Sequence, residues 1–130
     1  MIVIGYSADA FGVAAIEHGI AEAALRGTSL LVINATSGDA YADPRFAGSG
    51  QVHDVEERLR ESGVPFELRQ PVGVDAATEL LDAMDADDAE LLVIGIRHRS
   101  PVGKLLLGSV SQQLLLECPK PVLAVKPDRH

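Results

Sequence analysis

Five short apolar runs, rich in β-branched residues, alternate along the chain with longer stretches that suit helices. The runs cover residues 2–6, 29–34, 65–70 and 90–95, and the last begins at Pro121 and ends at Lys126. Strand-like runs separated by helical stretches indicate βαβ units. Because right-handed crossovers lay such units down as a parallel sheet covered on both faces, the pattern predicts one α/β domain over residues 1–130, a doubly wound five-stranded parallel sheet.

Three of the intervening stretches carry helix start and stop signals. The first spans residues 9–26, with Asp9 as its predicted N-cap and Gly27 after its last residue. The second covers residues 51–62, and the third covers residues 75–84. Apolar residues at helical spacing predict which face of the first helix is buried. That predicted stripe consists of Val13, Ile16, Ile20 and Ala24.

The chain is acidic, with 11 lysine and arginine residues against 19 aspartate and glutamate residues. Binding to nucleic acid or anionic lipid needs a broad basic face, so we expect neither a nucleic-acid partner nor a membrane. No apolar run approaches the ~18 residues that cross a bilayer. The one cysteine, Cys118, has no partner for an internal disulfide, which favours the reduced cytoplasm.

Residues 91–116 form a basic segment within this acidic chain. They include Arg97, Arg99 and Lys104 and no acidic residue. The fourth predicted strand ends in this segment, at Gly95. In doubly wound sheets, ligands bind beyond the carboxyl ends of the strands, where the strand order reverses. The position and charge of the segment therefore predict a site for an anionic ligand.

Two serines in the basic segment look like helix N-caps. Ser100 precedes a proline, and Gly108 would end the short helix that it starts; Ser109 would start a second helix, with Gln112 completing a capping box. A helix start offers free N–H groups and the positive end of a dipole, which suit a phosphate. The alternative stays open that these caps serve only two consecutive short helices and that the basic side chains are solvated or ion-paired.

The segment does not match a P-loop. Gly103 and Lys104 supply the centre of the required G-x-x-x-x-G-K-[ST] pattern. However, His98 stands at the first glycine position and Leu105 at the position of the magnesium-binding hydroxyl. The sequence thus argues against a Walker-type NTPase.

The stretch 35–50, ATSGDAYADPRFAGSG, mixes small, polar and proline residues without periodicity. This composition predicts a long irregular loop. Two interpretations remain open, since such a loop can cover a ligand pocket or simply connect two elements.

Metal binding and catalysis have weaker support in the sequence. The four histidines share no metal-ligand spacing and have no cysteine or carboxylate cluster beside them, so no structural metal is predicted. Ser7, Asp9 and His98 would approach one another if the first and fourth strands are neighbours. Without a G-x-S-x-G elbow, a serine beside a helix-capping aspartate is more common than a nucleophile, and weak nucleotide hydrolysis is kept as the minor alternative.

The order of elements and one motif resemble the universal stress protein family. Nucleotide-binding members of that family carry G-x-x-G, nine residues and then G-[ST] after the fourth strand. Here Gly95 and His98 occupy the first pair of positions, and Gly108 and Ser109 follow after nine residues. The opening IVIGYSADAFGVAAIEHGI and the ending PVLAVK are also similar to the family, so the resemblance covers essentially the whole chain.

The resemblance implies a Rossmann-like sheet of order 3-2-1-4-5 that binds an adenine nucleotide, ATP or AMP, between the loops after the first and fourth strands. It implies a homodimer through the last strand, from Pro121 to Lys126, and a stress-response or signalling module without strong catalytic activity. It places Asn34 near the base, and Gly95 and the residues from Gly108 to Ser111 near phosphate and ribose. The complete set of candidate nucleotide-binding residues is Gly5, Tyr6, Ser7, Asn34, Gly95, Arg97, His98, Arg99, Gly103, Lys104, Gly108, Ser109, Val110 and Ser111.

Two positions depart from the family pattern. Ser7 occupies the place of an aspartate that follows the first strand in ATP-binding members, and His98 replaces the second motif glycine. One interpretation is that Arg97, Arg99 and Lys104 replace close backbone contact by side-chain contact with phosphate. The other is a member that binds no nucleotide and acts through contacts with a protein partner, which the sequence does not identify.

Overall fold

The computed structural model describes residues 1–38, 42–97 and 108–128. Four candidate binding residues, His98, Arg99, Gly103 and Lys104, lie outside this described part, as does the predicted short helix that begins at Ser100.

All strand pairs in the sheet are parallel, and the strand order is β3-β2-β1-β4-β5. The predicted fold class and the strand order implied by the resemblance are both confirmed. Gly5, the last residue of β1, is in register with Ile33 of β2 and Ile94 of β4, so these three strands end at one edge. The strands are β1 Ile2–Gly5, β2 Leu30–Ile33, β3 Phe66–Arg69, β4 Leu91–Gly95 and β5 Val122–Val125.

Four helices of the described residues cover the sheet, two on each face. The helices are α1 Ala10–Arg26, α2 Ser49–Ser62, α3 Ala76–Met84 and α4 Ser109–Glu117. Helices α1 and α2 pack on one face and α3 and α4 on the other. The predicted N-cap Asp9 is confirmed, since its carboxylate accepts the N–H of Gly12, and Gly27 ends α1 in the left-handed conformation. None of the described helices has the length and apolarity that crossing a bilayer requires.

The buried face of α1 differs from the predicted stripe. Val13 is 55% exposed and Ala24 is also exposed, so these two assignments are wrong, whereas Ile16 and Ile20 are buried. The helix turns its smallest residues to β1 and β4, because a close approach of helix and sheet leaves no room for larger ones. The buried residues of α1 are Gly12, Ala15, Ile16, Gly19, Ile20 and Ala23.

The start of α4 is displaced by one residue from its predicted position. Gly108, not Ser109, is the N-cap, and no side chain caps this helix end. Gly108 has extended backbone, and its carbonyl accepts the first helical hydrogen bond from the N–H of Gln112 at 2.9 Å. Because helical dihedrals begin at Ser109, its hydroxyl is not at the capping position, and the predicted capping box is wrong.

Candidate functional site

A cleft of about 540 Å³ lies at the carboxyl ends of β1, β2 and β4. The segments after these strands and the start of α4 form its walls. The cleft is thus at the switch point of strand order where doubly wound sheets bind ligands. All ten candidate residues that the structure describes line it, and their binding of a ligand stays a prediction. These residues are Gly5, Tyr6, Ser7, Asn34, Gly95, Arg97, Gly108, Ser109, Val110 and Ser111.

Ser7 lines the cleft as part of the cap of α1. Its hydroxyl donates to Asp9 Oδ1 at 2.7 Å, and the N–H of Gly12 donates to the same oxygen at 3.0 Å. The serine proton is therefore used to orient the carboxylate that caps the helix. This geometry agrees with the capping interpretation of Ser7 and Asp9 and gives no support to Ser7 as a nucleophile, which would need a base to accept its proton.

Asn34 lines the cleft, but its polar atoms are all engaged by the protein. Only 2% of its surface is exposed. Its Nδ2 donates to the carbonyls of Tyr6 at 2.9 Å and Arg45 at 3.0 Å. Its Oδ1 accepts the N–H of Ala47 at 2.8 Å and Gln70 Nε2 at 3.1 Å. With both donors and both acceptor positions occupied, Asn34 fixes the surrounding chain and is not free to read a base.

The segment after β2 is held by a second polar cluster. Thr36, which is buried, donates its hydroxyl to Asp43 Oδ2 at 2.7 Å, and the N–H of Arg45 donates to Asp43 Oδ1 at 3.0 Å. These hydrogen bonds, the one from Thr36 first, lower the pKa of Asp43 because they favour its charged form. Of the two interpretations of this loop, the structure supports the one in which it forms part of a pocket wall.

Thr36, Asp43 and Arg45 line the cleft and were not among the sequence-predicted residues. No fixed spacing relates them, since their contacts depend on how the irregular segment folds back on itself. A threonine three residues after the end of β2 is the one sequence signal that could have indicated the position, and it is a weak one.

The two described motif glycines have different structural roles. A Cβ on Gly95 would lie 2.2 Å from the carbonyl oxygen of Phe11, so glycine is required there by the packing of α1 on β4. A Cβ on Gly108 would have no heavy atom of the described residues within 4 Å. Gly108 also has φ −64°, which any residue can adopt. The fold thus accounts for Gly95 but not for Gly108.

The start of α4 presents backbone N–H groups to the cleft. The first helical hydrogen bond is donated by Gln112, so the N–H groups of Ser109, Val110 and Ser111 precede it and have no helical acceptor. All three residues line the cleft. This is the positive end of a nine-residue helix, and it suits an anion.

The charges on the described cleft wall are mixed. Asp9, Asp43 and Asp75 line it together with Arg45 and Arg97. Each aspartate already accepts hydrogen bonds from its own segment, whereas neither guanidinium has an ion pair within the described ranges. The composition of residues 91–116 alone would suggest a basic wall. The described wall, however, is not uniformly basic. It carries three aspartates and two arginines, and the charge of Arg45 is one of the causes that lower the pKa of Asp43.

A metal centre has no support in the described part of the chain. No three side chains of His, Cys, Asp or Glu come together there in a way that could hold a metal ion.

The 3-2-1-4-5 parallel sheet with a cleft at its switch point defines a doubly wound α/β protein with a small-ligand pocket. The chain belongs to the universal stress protein family, since the model of that family matches residues 1–126.

Three known proteins illustrate the relationship. A universal stress protein of Mycolicibacterium smegmatis is 79% identical over 127 residues, which is 98% of each chain. The structure of a universal stress protein from Archaeoglobus fulgidus superposes with a TM-score of 0.78 at 29% identity, covering 96% of this chain and 97% of that one. A universal stress protein from the same organism, in complex with dAMP, has a TM-score of 0.63 at 24% identity and 96% coverage of both chains, a likeness of fold alone.

Proposed function

We propose that this protein is a stress-response or signalling module of the cytoplasm that binds an adenine nucleotide, ATP or AMP, in the cleft and is not a strong catalyst. The observation that carries the proposal is the open start of α4, whose three free N–H groups face the same cleft as the unpaired Arg97. The dAMP bound by the relative from A. fulgidus suggests the adenine class of ligand.

The described groups provide enough binding free energy for a phosphate. A helix start contributes ~0.3–1 kcal/mol, and a charged hydrogen bond contributes ~1.5–3 kcal/mol. One helix start and two or three such hydrogen bonds, from Arg97 and the α4 amides, give about 3–10 kcal/mol, a range that includes the ~8 kcal/mol of a micromolar site. Since Asn34 is saturated, phosphate contacts should dominate over side-chain recognition of the base.

Calorimetric titration of the nucleotide-free protein with AMP and with ATP tests the proposal. Arg97→Ala should weaken binding about tenfold or more, and added salt should weaken it as well, because a charged contact is lost or screened. Arg60→Ala is the matched control, since Arg60 is on α2, paired with Glu56 at 2.9 Å, and should leave affinity unchanged.

Gly108→Val separates binding from folding. A Cβ at this position meets no described heavy atom within 4 Å, and the valine side chain would stand beside the α4 amides, so affinity should fall while the unfolding midpoint stays. Absence of heat and of a thermal shift at millimolar nucleotide would end the proposal. Equal affinity of the wild type and both cleft variants would place the site elsewhere. Phosphate release from ATP, measured colorimetrically, tests the minor hydrolytic alternative.

A second candidate function is a module that acts only through contacts with another protein. It is favoured by the state of Ser7 and Asn34, whose side chains are committed to the fold although the resemblance places both in the nucleotide site. In this case the basic segment would face an acidic partner surface. Mass spectrometry of the denatured, freshly purified protein distinguishes the two, because a co-purified nucleotide supports the first.

We also propose that the protein is a homodimer that pairs through β5. This strand ends the sheet, and only its β4 side is paired among the described strands. The carbonyls of Pro121 and Val125 accept from Leu92 of β4 and from Ile96, the residue after it, so alternation along β5 turns the N–H and carbonyl of Ala124 outward. An unpaired edge of this kind is a template for a second copy.

Ala124→Pro tests this pairing, because it removes an outward N–H and leaves the ladder to β4 intact. We expect the molar mass from light scattering to fall from that of a dimer to that of a monomer, with an unchanged circular dichroism spectrum. A monomeric wild type, or a dimer that Ala124→Pro does not weaken, would exclude the β5 interface.

A further inference from the structure

A second cavity, of about 440 Å³, lies between the first turns of α1 and α2. Its floor includes the buried side chains of Ile16 and Val55, and the exposed Val13 borders it. Tyr6 and Asp9 contribute to both this groove and the cleft at the end of the sheet, but the remaining lining residues of the groove are its own. A volume of this size is typical of small-molecule sites.

Tyr6 contributes a hydroxyl that has no hydrogen-bond partner among the described residues. The residue as a whole is only 9% exposed and belongs to the core on the α1 and α2 face, but its hydroxyl oxygen is not buried. This oxygen, on a residue that lines the groove, is free to accept a hydrogen bond from a ligand there. Burial, and then the nearby charges of Asp9 and Asp54, raise the pKa of Tyr6, so the phenol stays protonated and neutral at physiological pH.

The unpaired charges around this hydroxyl are negative. Asp54 lines the groove and has no hydrogen bond or ion pair within the part of the chain that is described. Asp9 has its Oδ2 free, since both of its hydrogen bonds go to Oδ1. The one positive side chain of the lining, Arg58, binds both carboxylate oxygens of Glu17 at 2.8 and 2.7 Å and is thereby neutralised.

We propose that the groove binds a small organic cation, an ammonium group carried by a short hydrocarbon body. The ammonium would lie between Asp9 and Asp54 and donate a hydrogen bond to the Tyr6 oxygen, and the hydrocarbon would cover Ile16 and Val55. A carboxylate or phosphate ligand would be repelled by the two aspartates, and a neutral alcohol would leave their charges unpaired. The negative charges and the apolar floor of the groove together favour an amine with a hydrocarbon chain over the other two ligand classes.

Titration of the full-length protein with n-hexylamine, followed by amide chemical shifts, tests this site. We expect saturable shifts centred on Val13 and Val55 and a Kd that rises with added salt. The matched probes 1-hexanol and hexanoate keep the hydrocarbon but not the positive charge. Hexanol should bind at least about tenfold more weakly, the loss of one charged hydrogen bond, and hexanoate should not bind.

Variants locate the contacts. Tyr6→Phe and Asp54→Asn should each weaken hexylamine binding about threefold to tenfold or more, whereas Asp87→Asn, in the exposed turn after α3, should leave it unchanged. Because Asp54 is exposed, Asp54→Asn does not disturb the core, so this variant tests the site even where Tyr6→Phe perturbs the core. Equal binding of hexylamine and hexanol, an unaffected Asp54→Asn, or shifts that map to another face would each overturn the proposal.

Discussion

Replacing Gly95 by alanine should destabilise the protein, whereas the same change at Gly108 should not. Both glycines belong to the motif after β4, and both line the cleft. The new methyl group at Gly95 would lie 2.2 Å from the Phe11 carbonyl oxygen and 2.6 Å from the carbonyl carbon. These are backbone atoms of the first turn of α1, which cannot rotate away, so α1 and β4 must separate.

The expected loss of stability follows from overpacking. Forcing one methyl group into a packed interior costs about 1–3 kcal/mol, and contact with backbone places this case toward the upper end. The lower entropy of the unfolded alanine variant offsets about 0.4–1 kcal/mol. We therefore expect Gly95→Ala to lower the free energy of unfolding by about 2 kcal/mol, and the melting temperature by about 7 °C for a chain of this length.

Gly108→Ala is the matched control. Its methyl group meets no atom in the described part of the chain within 4 Å, and its φ suits alanine, so only a small loss of N-cap preference opposes the entropic gain. We expect a change within about 0.5 kcal/mol of zero.

Urea unfolding followed by circular dichroism, and calorimetry of the nucleotide-free proteins, measure both effects without a contribution from ligand binding. If Gly95→Ala unfolded at the wild-type midpoint, or if both alanine variants lost the same stability, the packing explanation for Gly95 would be refuted.

Two further predictions concern the segment after β2. Asn34→Ala should lower the free energy of unfolding by about 3 kcal/mol or more, because it leaves buried partners such as the Ala47 N–H without a hydrogen bond. Denaturant unfolding would measure this loss, and amide exchange at Ala47 should become faster. Wild-type stability of the variant would refute the prediction. Thr36→Val should raise the pKa of Asp43 toward its ordinary value, whereas Thr36→Ser should keep it low, as a carboxyl-carbon NMR titration would show. Because the pKa of Asp43 is lower in the folded than in the unfolded protein, Asp43 stabilises the fold above its unfolded pKa, and this stabilisation is lost as pH falls through the folded pKa. Thr36→Val should therefore reduce the loss of stability at acidic pH.

The fold was predictable chiefly because the aliphatic strands β1, β2 and β4 differ in composition from the residues around them. Runs such as Leu30–Ile33 and Leu91–Gly95 are buried on both faces of a parallel sheet, and this requires near-continuous aliphatic sequence. Helix ends were predictable where a local device marks them, as Asp9 and Gly27 do. The start of α4 has no side-chain cap, and there the predicted boundary was wrong by one residue.

The details of the site depend on contacts between distant residues, which no local pattern encodes. Asn34 and Gln70 are 36 positions apart, and only the pairing of β2 with β3 brings them together. In the same way, the exposure of Val13 depends on how closely α1 approaches the sheet, which its own periodicity cannot show. The sequence therefore predicted correctly that the cleft lies at the carboxyl ends of the strands, but it did not predict the roles of the side chains that line the cleft.

The residues that a family motif marks and the residues that bind a ligand need not be the same. In this chain, close packing against the Phe11 carbonyl accounts for the glycine at position 95. The hydroxyl of Ser7 takes part in the cap of α1, and the side chain of Asn34 holds the segment after β2. A comparison of motif positions would count all three as nucleotide contacts, although packing and hydrogen bonding already account for them. Among the described residues, the groups left for a ligand include the amides that open α4, the hydroxyls of Ser109 and Ser111, and the guanidinium groups of Arg45 and Arg97. A nucleotide site in this protein must therefore depend mainly on electrostatic attraction for phosphate, and its salt dependence is the property that distinguishes it from a vestigial cleft.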